Sequence, residues 1–331
     1  MSPAVAPGSV HACIIANPNA GGGRGTEALH SAVGVLAGRG WTVTVRWTSA
    51  PGEAESVARD AAAAGQDVVV AAGGDGTVNE VANGLVHSGT ALAVLPLGTG
   101  NVLAAQLGLV GVPTPLFRPD VPAAARALAD GRILTIDTGL ARPLHGPARH
   151  FVLWAGIGFD AAVAHELEDT GRALKRRLGP FAYGALGLRA ALGLRGTPAS
   201  LRVDGRRVQG RLLLAVVANV GRYAGALDLA PNAQLDDGRL DVAIFLGERL
   251  PEGLGHLSAV LRGKPSTTPD RVLLTARQMR VVARRALPVH LDAEPFGNTP
   301  IRFAVVPASL RLVVPSTAQP RLFQQSAGEP A

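Results

Sequence analysis

The first third of the chain alternates short apolar runs with stretches whose apolar residues recur at helical spacing. Almost wholly apolar runs at 11–16, 67–72 and 91–95 predict strands that are buried on both faces. A further strand is predicted at 41–47, where Thr and Val alternate with a period of two. This βα order predicts a parallel sheet that is covered by helices on both faces. The helices are predicted at 28–37, 53–64, 77–86, 102–107 and 121–130.

The pattern changes near residue 132, after which β-strand signals dominate. Many short strands separated by turn residues predict a sandwich-like β-rich domain. The sequence therefore predicts a nucleotide-binding α/β domain at 9–131 and a β-rich domain at 132–305. Residues 306–316 could complete the first domain, and 317–331 are predicted to form a disordered tail. The later strands are predicted at 132–140, 150–156, 201–203, 207–219, 238–245, 272–283, 288–292 and 310–314.

Composition and charge exclude several classes of protein. The chain has 331 residues, of which 47% are hydrophobic, so it can bury two cores and is not a disordered chain. Cys13 is its single cysteine, which excludes an intrachain disulfide and a cysteine-cluster metal site. The net charge of +7 suits nucleotides, anionic lipid surfaces or nucleic acid. Zinc-finger spacings and basic-region heptads are missing, so no nucleic-acid partner is predicted.

Nothing in the sequence predicts a segment that crosses a membrane. Residues 1–10 lack the basic start and apolar core of a signal peptide, and no uncharged apolar run reaches about 18 residues. The protein is therefore predicted to be cytoplasmic and, if it acts on lipid, to associate peripherally with the membrane surface. A basic segment at 172–177 precedes an apolar stretch at 180–194. It is either the solvated start of a core helix or an element that touches anionic lipid.

A glycine-rich segment follows the third predicted strand and opens the next helix. It consists of Gly73, Gly74, Asp75, Gly76 and Thr77. Glycines let backbone N–H groups approach a polyphosphate, and the helix N-terminus adds positive potential. A carboxylate among phosphates suits Mg²⁺. Taken alone, the same residues also fit a plain turn between a strand and a helix.

Two more glycine-rich loops follow other predicted strands. One spans 17–23 after the first strand, and the other spans 97–101 after the fourth. Because the carboxyl ends of parallel strands meet at one edge of a sheet, the three loops should converge on one crevice, as in nucleotide sites. Neither the Walker pattern nor the dinucleotide Gly-x-Gly-x-x-Gly pattern is matched.

Two acidic residues, Asp292 and Glu294, lie at the end of a predicted apolar strand. Residues spaced i and i+2 point to one face of a strand, so the two carboxylates are expected side by side. Transfer of a phosphoryl group to an alcohol needs a carboxylate that accepts the hydroxyl proton. The alternative interpretation is a turn that carries surface acids.

Together, these motifs resemble the diacylglycerol kinase catalytic-domain family, which includes bacterial lipid kinases, sphingosine kinases and ceramide kinase. The resemblance implies an N-terminal domain related to phosphofructokinase and NAD kinase folds, followed by a β-rich C-terminal domain. It implies ATP and Mg²⁺ as cofactors, and a lipid hydroxyl as the acceptor at an interdomain cleft. The motifs that carry it are 17–21, 73–80, 96–101, 156–161, 230–241 and 291–295.

The resemblance also assigns site residues. It implies that the two carboxylates are the general base and its support, and we favour Glu294 as the proton acceptor with Asp292 as its close partner. Asp75 is expected to bind Mg²⁺. The predicted nucleotide contacts are Asn17, Thr48, Gly73, Gly74, Asp75, Gly76, Thr77, Val78, Asn79, Glu80, Gly98, Thr99 and Asn101.

A second, structural Mg²⁺ site is implied at the turn 236–238. Its ligands would be the Asp237 carboxylate and the main-chain oxygens of Gln234 and Arg239, although a β-turn alone also explains these residues. The chain departs from the family pattern at two positions. Ala293 stands in place of the usual Gly, which would cost about 1 kcal/mol if φ is positive there. Val102 stands where many members have Asp.

The sequence thus predicts an ATP-dependent lipid kinase. Two alternatives stay open: a soluble-metabolite kinase of the NAD type, which shares the glycine core, and a non-catalytic nucleotide-binding regulator. The second alternative is motivated by Val102 and Ala293. The sequence does not identify the lipid, and it leaves a homodimer open.

Overall fold

The structure is a computed structural model that describes residues 10–20, 25–98, 100–110, 119–158, 161, 195–223, 227–248 and 270–324. The helices are α1 (Gly25–Ala37), α2 (Glu53–Ala63), α3 (Asp75–Leu85), α4 (Val102–Gln106) and α5 (Val121–Ala129). The first strands are β1 (Val10–Ala16), β2 (Trp41–Trp47), β3 (Val68–Gly73), β4 (Ala91–Pro96), β5 (Arg132–Pro143), β6 (Arg149–Phe151), β7 (Trp154–Gly158), β8 (Thr197–Val203) and β9 (Arg206–Ala218). The remaining strands are β10 (Arg222–Tyr223), β11 (Leu227–Asp228), β12 (Leu240–Leu246), β13 (Arg271–Ala276), β14 (Gln278–Ala283), β15 (Pro288–Leu291), β16 (Glu294–Asn298) and β17 (Ile301–Val314).

The first part of the chain forms the predicted parallel α/β sheet, in the order β2-β1-β3-β4. Every residue of β3 and β4 is buried, as expected of strands covered on both faces. The chain moves from β1 to β2 and then returns past β1 to β3. Right-handed crossovers therefore put α1 and α2 on opposite faces of the sheet. The reversal creates a switch point between β1 and β3, where such sheets bind ligands.

Helices α2 and α3 cross closely because a glycine lies at their contact. A Cβ atom added to Gly84 of α3 would lie only 2.8 Å from the Cβ of Ala58 in α2. This packing fixes the direction of α3, the helix that begins at the predicted phosphate loop.

The second part of the chain is the predicted β-rich, sandwich-like domain. Its antiparallel strands run in the order β16-β15-β7-β9-β8-β14-β17, with β12 and β13 added beside β9, and β5 and β6 added beside β17. Phe151 and Phe303 meet edge to face in its core, with ring centroids 6.3 Å apart. β17 also pairs in parallel with β4 through Arg311 and Leu312, so the two parts share one continuous sheet. The exact residue at which the domains divide stays a prediction.

Several details of the predicted secondary structure are wrong. The strand predicted at 150–156 is two strands, β6 and β7, and the strand predicted at 310–314 begins at Ile301. The single strand predicted at 272–283 is two strands, because Asp204 accepts the N–H groups of Arg277 and Gln278 and breaks the run between them. β13 can then pair with β12 while β14 pairs with β8. The predicted disordered tail is ordered as far as residue 324. Leu322 and Phe323 are buried there, because they complete the core beside Leu235.

Candidate active site

The glycine-rich segment forms a tight corner between β3 and α3. The N–H groups of Leu97 and Gly98 both donate to the Gly73 carbonyl, at 3.1 and 3.0 Å. A Cβ atom added to Gly98 would lie 2.5 Å from the Cα of Gly74. The loops that follow β3 and β4 are thus in direct contact, and their close approach requires glycine.

The loop after β1 and the end of β2 lie at the same edge of the sheet. The Asn17 N–H donates to the carbonyl of Ala72 at 3.1 Å, and the Thr48 N–H donates to that of Ala16 at 3.0 Å. The Asn17 side chain accepts the N–H of Asn19 and shapes its own loop. The expected convergence of loops therefore occurs. Thr99, the glycines at 21–23 and the basic segment at 172–177 lie outside the described residues.

Asp75 occupies the first position of α3 and is partly buried between two loops. Its Oδ1 accepts the N–H of Val102 at 2.8 Å, and a Cβ atom added to Gly100 would lie 2.6 Å from its Oδ2. Burial raises the pKa of Asp75 to about 6, and the nearby carboxylate of Asp292 adds to the rise. Binding of a cation would relieve this unfavourable charge. Val102 contributes through its backbone, so its departure from the family pattern leaves this contact intact.

Asp292 is buried and its carboxylate is saturated with hydrogen bonds. It accepts the side-chain amide of Asn79 at 2.7 Å, and the backbone N–H groups of Val152, Leu153 and Trp154 at 2.9 to 3.0 Å. Burial raises the pKa of Asp292, whereas the four hydrogen bonds favour its ionised form. This carboxylate therefore ties α3 to the β6–β7 turn and to the β15–β16 hairpin.

The expectation that Asp292 and Glu294 share one face of a strand is wrong. Asp292 and Ala293 form the two-residue turn between β15 and β16, with φ angles of 48° and 70°. Positive φ at both central residues is the geometry of a tight hairpin turn. Ala293 therefore carries the strain of about 1 kcal/mol that glycine would avoid.

Glu294 reaches the first turn of α3 from the opposite side of the hairpin turn. Its side chain is 45% exposed, and a Cβ atom added to Gly76 would lie 3.1 Å from its carboxyl carbon. The structure thus brings Glu294 against the glycine-rich segment that the sequence assigned to phosphate. Glycine at position 76 is required for that approach.

Arg149 is a site residue that the sequence analysis missed. Its Nε donates to the Oδ1 of Asn79 at 2.9 Å, and its Nη2 lies 3.6 Å from the Oε2 of Glu294. The Nη2 atom is buried and has no hydrogen-bond partner among the described residues. No motif surrounds Arg149. Its position just ahead of the segment at 156–161 was the one available signal.

The strand that carries Arg149 is fixed to α3 by a polar network around His150. The backbone of His150 accepts from the amides of Asn79 and Asn83, and its N–H donates to Asn83. Its ring bonds the hydroxyl of Thr138 at 2.8 Å. Burial, with a smaller contribution from the ring of His87, lowers the pKa of His150 to about 4. The neutral ring therefore serves as a fixed support beneath Arg149.

Some predicted nucleotide contacts serve the fold through their side chains. The carboxylate of Glu80 accepts the N–H groups of Gly52 and Ala54, so it caps the start of α2. Thr77 packs on Gly73, and Val78 is part of the core. Asn101 is buried and bonds both backbone groups of Gly98, so it shapes the loop after β4.

The predicted second metal site lies in an acidic turn. Asp237 accepts the N–H of Arg239 at 2.9 Å, and Asp137 accepts that of Gly238 at 2.6 Å. Burial raises the pKa of Asp237, with a contribution from Asp137, and raises that of Asp241 to about 7, with a contribution from Asp237. A cation would relieve this repulsion, and carboxylate and carbonyl oxygens suit Mg²⁺.

That turn does not form a cluster of metal-binding side chains. Within the described ranges, no three His, Cys, Asp or Glu side chains are arranged to hold a metal ion. A metal ion there would rely on the carboxylate of Asp237 and on main-chain oxygens, such as those of Gln234 and Arg239.

A cavity of 230 Å³ opens on one face of β9, β12 and β13. Its walls are mostly apolar and include Ala218 and Leu229, while Asp241 supplies a carboxyl group. Pairing across the strands puts Asp241 opposite Ala218, and Ala218 opposite Trp154. The N–H of Asp292 donates to the carbonyl of Trp154. The cavity thus begins roughly 10 Å, or two strand spacings, from the Asp292 turn.

Comparison with known proteins agrees with this architecture. Residues 11–141 match the family model of the diacylglycerol kinase catalytic domain, and residues 154–314 match that of the YegS C-terminal NAD kinase beta sandwich-like domain. The chain is 34% identical to a Pseudomonas putida protein named "Probable lipid kinase YegS-like", over 88% of this chain and 91% of that protein. It is 29% identical to the diacylglycerol kinase of Bacillus subtilis, over 91% and 95% of the two chains.

Solved structures share the fold. The crystal structure of a diacylglycerol kinase from Bacillus anthracis superposes with a TM-score of 0.70, over 94% of this chain and 98% of that chain, at 20% identity. None of the helices in the described ranges has both the length and the apolar character needed to span a bilayer.

Proposed function

Because the chain belongs to the diacylglycerol kinase catalytic-domain family and is a kinase, we propose that it transfers the γ-phosphate of Mg²⁺-ATP to a lipid hydroxyl. One observation carries the proposal. The carboxylate of Glu294 lies against Gly76, at the start of the helix that follows the phosphate loop. A proton acceptor and a phosphate cradle therefore meet at one place.

The donor side of the proposal rests on the start of α3. The first N–H groups of a helix have no partner within it, and they carry the positive end of its dipole. Gly76 and Thr77 can direct such groups at the phosphates, while the glycine contacts keep side chains out. Asp75 would bind Mg²⁺, which supplies charge neutralisation on the phosphates when bound. Asp75 holds its place through the N–H of Val102.

The acceptor side rests on the different surroundings of the two carboxylates. Asp292 is 2% exposed, and its carboxylate oxygens accept hydrogen bonds from four N–H groups. We therefore propose that it holds the hairpin in place. Glu294 is half-exposed beside the phosphate loop, so it is the group that can take the hydroxyl proton. The acyl part of the lipid would extend toward the apolar cavity.

Arg149 completes the proposed site as a second phosphate contact. Its buried Nη2 lacks a hydrogen-bond partner in the described part of the chain and can donate to the transferring group. We expect Arg149→Met to lower kcat about 100-fold with little change in the melting temperature, and Arg149→Lys to restore part of the loss. Steady-state kinetics and thermal melts check this. Exposed Arg126 gives the control variant Arg126→Met, and an equal loss there would refute the role of Arg149.

The second metal site predicts a stability effect. If Mg²⁺ binds at Asp237, saturating Mg²⁺ should raise the melting temperature by roughly 5 °C without nucleotide. Asp237→Asn should abolish this rise, because it removes the carboxylate ligand. Asp236→Asn should keep the rise, because that side chain can still accept the N–H of Gln324. A rise that persists in Asp237→Asn would contradict the assignment. Thermal melts of wild type and of both variants, with Mg²⁺ or with a chelator, measure these shifts in melting temperature.

The lipid acceptor is supported by two relatives that align with this chain over 91% and 95% of their own length. One is named a probable lipid kinase and the other a diacylglycerol kinase. A lipid acceptor implies that the enzyme acts at a membrane surface. The test is to incubate the purified protein with Mg²⁺-ATP and mixed micelles of lipid alcohols, and to identify products by mass spectrometry. A lipid that gains one phosphoryl group supports the proposal. Conversion of NAD to NADP without a lipid product would favour the metabolite kinase instead.

A further inference from the structure

Five exposed arginines lie directly opposite one another on five neighbouring strands. The strands run in the order β9, β8, β14, β17 and β5, and all four pairings are antiparallel. We call these residues the arginine row. Its members, in order across the sheet, are Arg207, Arg202, Arg280, Arg302 and Arg142.

The row lies on the outer face of the sandwich. On the three central strands both neighbours of the arginine are buried, as Leu201 and Val203 are beside Arg202, and on the two outer strands one neighbour is buried. Side chains alternate between faces along a strand, and directly opposite residues share a face. The five guanidinium groups therefore project together into solvent.

This arrangement is unfavourable for the fold by itself. Opposite residues have Cβ atoms about 5 Å apart, and like charges there are destabilising. Within the described part of the chain, no carboxylate forms a salt bridge with any member of the row. Arg207 bonds the neutral hydroxyl of Ser200 at 3.2 Å. The concentrated positive charge therefore favours an anionic partner that is not part of these residues.

The shape of the row indicates which partner fits. Four strand spacings extend it over roughly 19 Å of sheet surface. Two exposed apolar side chains flank it: Val282, two residues after Arg280, and Leu144, two residues after Arg142. A broad basic face with apolar side chains at its border suits the headgroup region of an anionic bilayer. A groove for single-stranded nucleic acid would instead need stacking aromatic side chains, and neither flanking residue is aromatic.

Two members of the row lie on strands next to elements of the proposed active site. Arg302 follows the hairpin that carries Glu294, and Ala141, which precedes Arg142, pairs with Arg149. We infer that the arginine row docks the protein on an anionic lipid bilayer and holds the active-site cleft at the membrane surface. The choice of lipid as the partner rests on the proposed function.

Vesicle binding tests the inference. The row variant replaces Arg202, Arg280 and Arg302 by Gln, and the control variant replaces the exposed Arg39, Arg59 and Arg321 by Gln. Both lose three charges. On phosphatidylcholine vesicles with about one-third phosphatidylglycerol, the row variant should partition on the order of 100-fold more weakly than wild type. The control should stay within about fivefold, and wild-type binding should weaken as salt rises.

Several results would overturn the inference. They are equal losses in the two variants, wild-type binding to pure phosphatidylcholine that matches binding to the anionic vesicles, or tighter binding of wild type to single-stranded RNA that the row variant loses. Thermal melts of the row variant should match wild type or rise, because repulsion is removed. A clear fall would mean that the row stabilises the fold, which contradicts the inferred role.

A kinase assay in neutral detergent micelles separates the docking inference from the proposed function. The row variant should phosphorylate lipid there as fast as wild type, because no anionic surface is present. If wild type phosphorylates no lipid in micelles, the proposed function fails, whatever the vesicles show. If micelle turnover is normal but the row variant keeps wild-type vesicle affinity, only the docking inference fails.

Discussion

Glu294→Gln is expected to lower kcat by about 10²–10⁴ while ATP affinity changes only a few-fold. The substitution keeps the shape of the side chain against Gly76 but removes its ability to accept a proton. Turnover of labelled ATP with a lipid acceptor, together with nucleotide binding by calorimetry, measures both effects. Near-normal turnover would show that Glu294 is not the base.

Two other variants sharpen this result. Glu55→Gln, on the outer side of α2, removes a glutamate that pairs with Arg59 and should leave kcat unchanged. Asp292→Asn should instead lower the melting temperature, because an amide NH₂ group would face N–H donors that now find a carboxylate. Breaking such a buried network costs about 3 kcal/mol. If Asp292→Asn kept full stability and lost all turnover, the roles of the two carboxylates would be exchanged.

Asp75→Asn is expected to lower kcat by about 10³ or more, because metal-assisted charge stabilisation is the main term in phosphoryl transfer. The asparagine oxygen can still accept the N–H of Val102, so the loop should keep its shape. Rates measured across a series of Mg²⁺ concentrations should show a large rise in the Mg²⁺ needed for half-maximal activity.

A control variant tests whether this loss is specific to Asp75. Asp60→Asn removes one exposed carboxylate from α2 and should change neither kcat nor the Mg²⁺ requirement. Near-normal turnover of Asp75→Asn at low Mg²⁺ would mean that the metal binds elsewhere in the cleft.

Much of the fold could be predicted because its signals are local. The apolar runs that became β3 and β4 are buried at every position, so their composition alone identified them. The loops that follow β1, β3 and β4 could be expected to meet, since topology decides where parallel strands end. The break at Arg277 could not be predicted, because it depends on Asp204, which is 73 residues away in sequence.

The arrangement of the site was harder to predict because it also depends on contacts between residues that are far apart in the sequence. Asp292 and Glu294 were recognised by their type and spacing, but their division of labour depends on a tight turn at Ala293. Arg149 reaches Glu294 because β6 pairs with β5 and docks on Asn79, and these contacts span many residues. Glu80 was predicted to contact the nucleotide because it belongs to the motif at 73–80, whereas in the structure its carboxylate caps α2.

The most direct test of the central claim follows the γ-phosphate of ATP. Purified protein is incubated with γ-labelled ATP, Mg²⁺, micelles that contain diacylglycerol, phosphatidylglycerol and sphingoid bases, and NAD as a competing acceptor. The proposed function predicts that label moves into the organic-solvent-extractable lipid fraction, that Mg²⁺ is required and that Glu294→Gln lowers the transfer about 100-fold or more. Label in NADP with none in lipid, or ATP binding with transfer to neither, would contradict it.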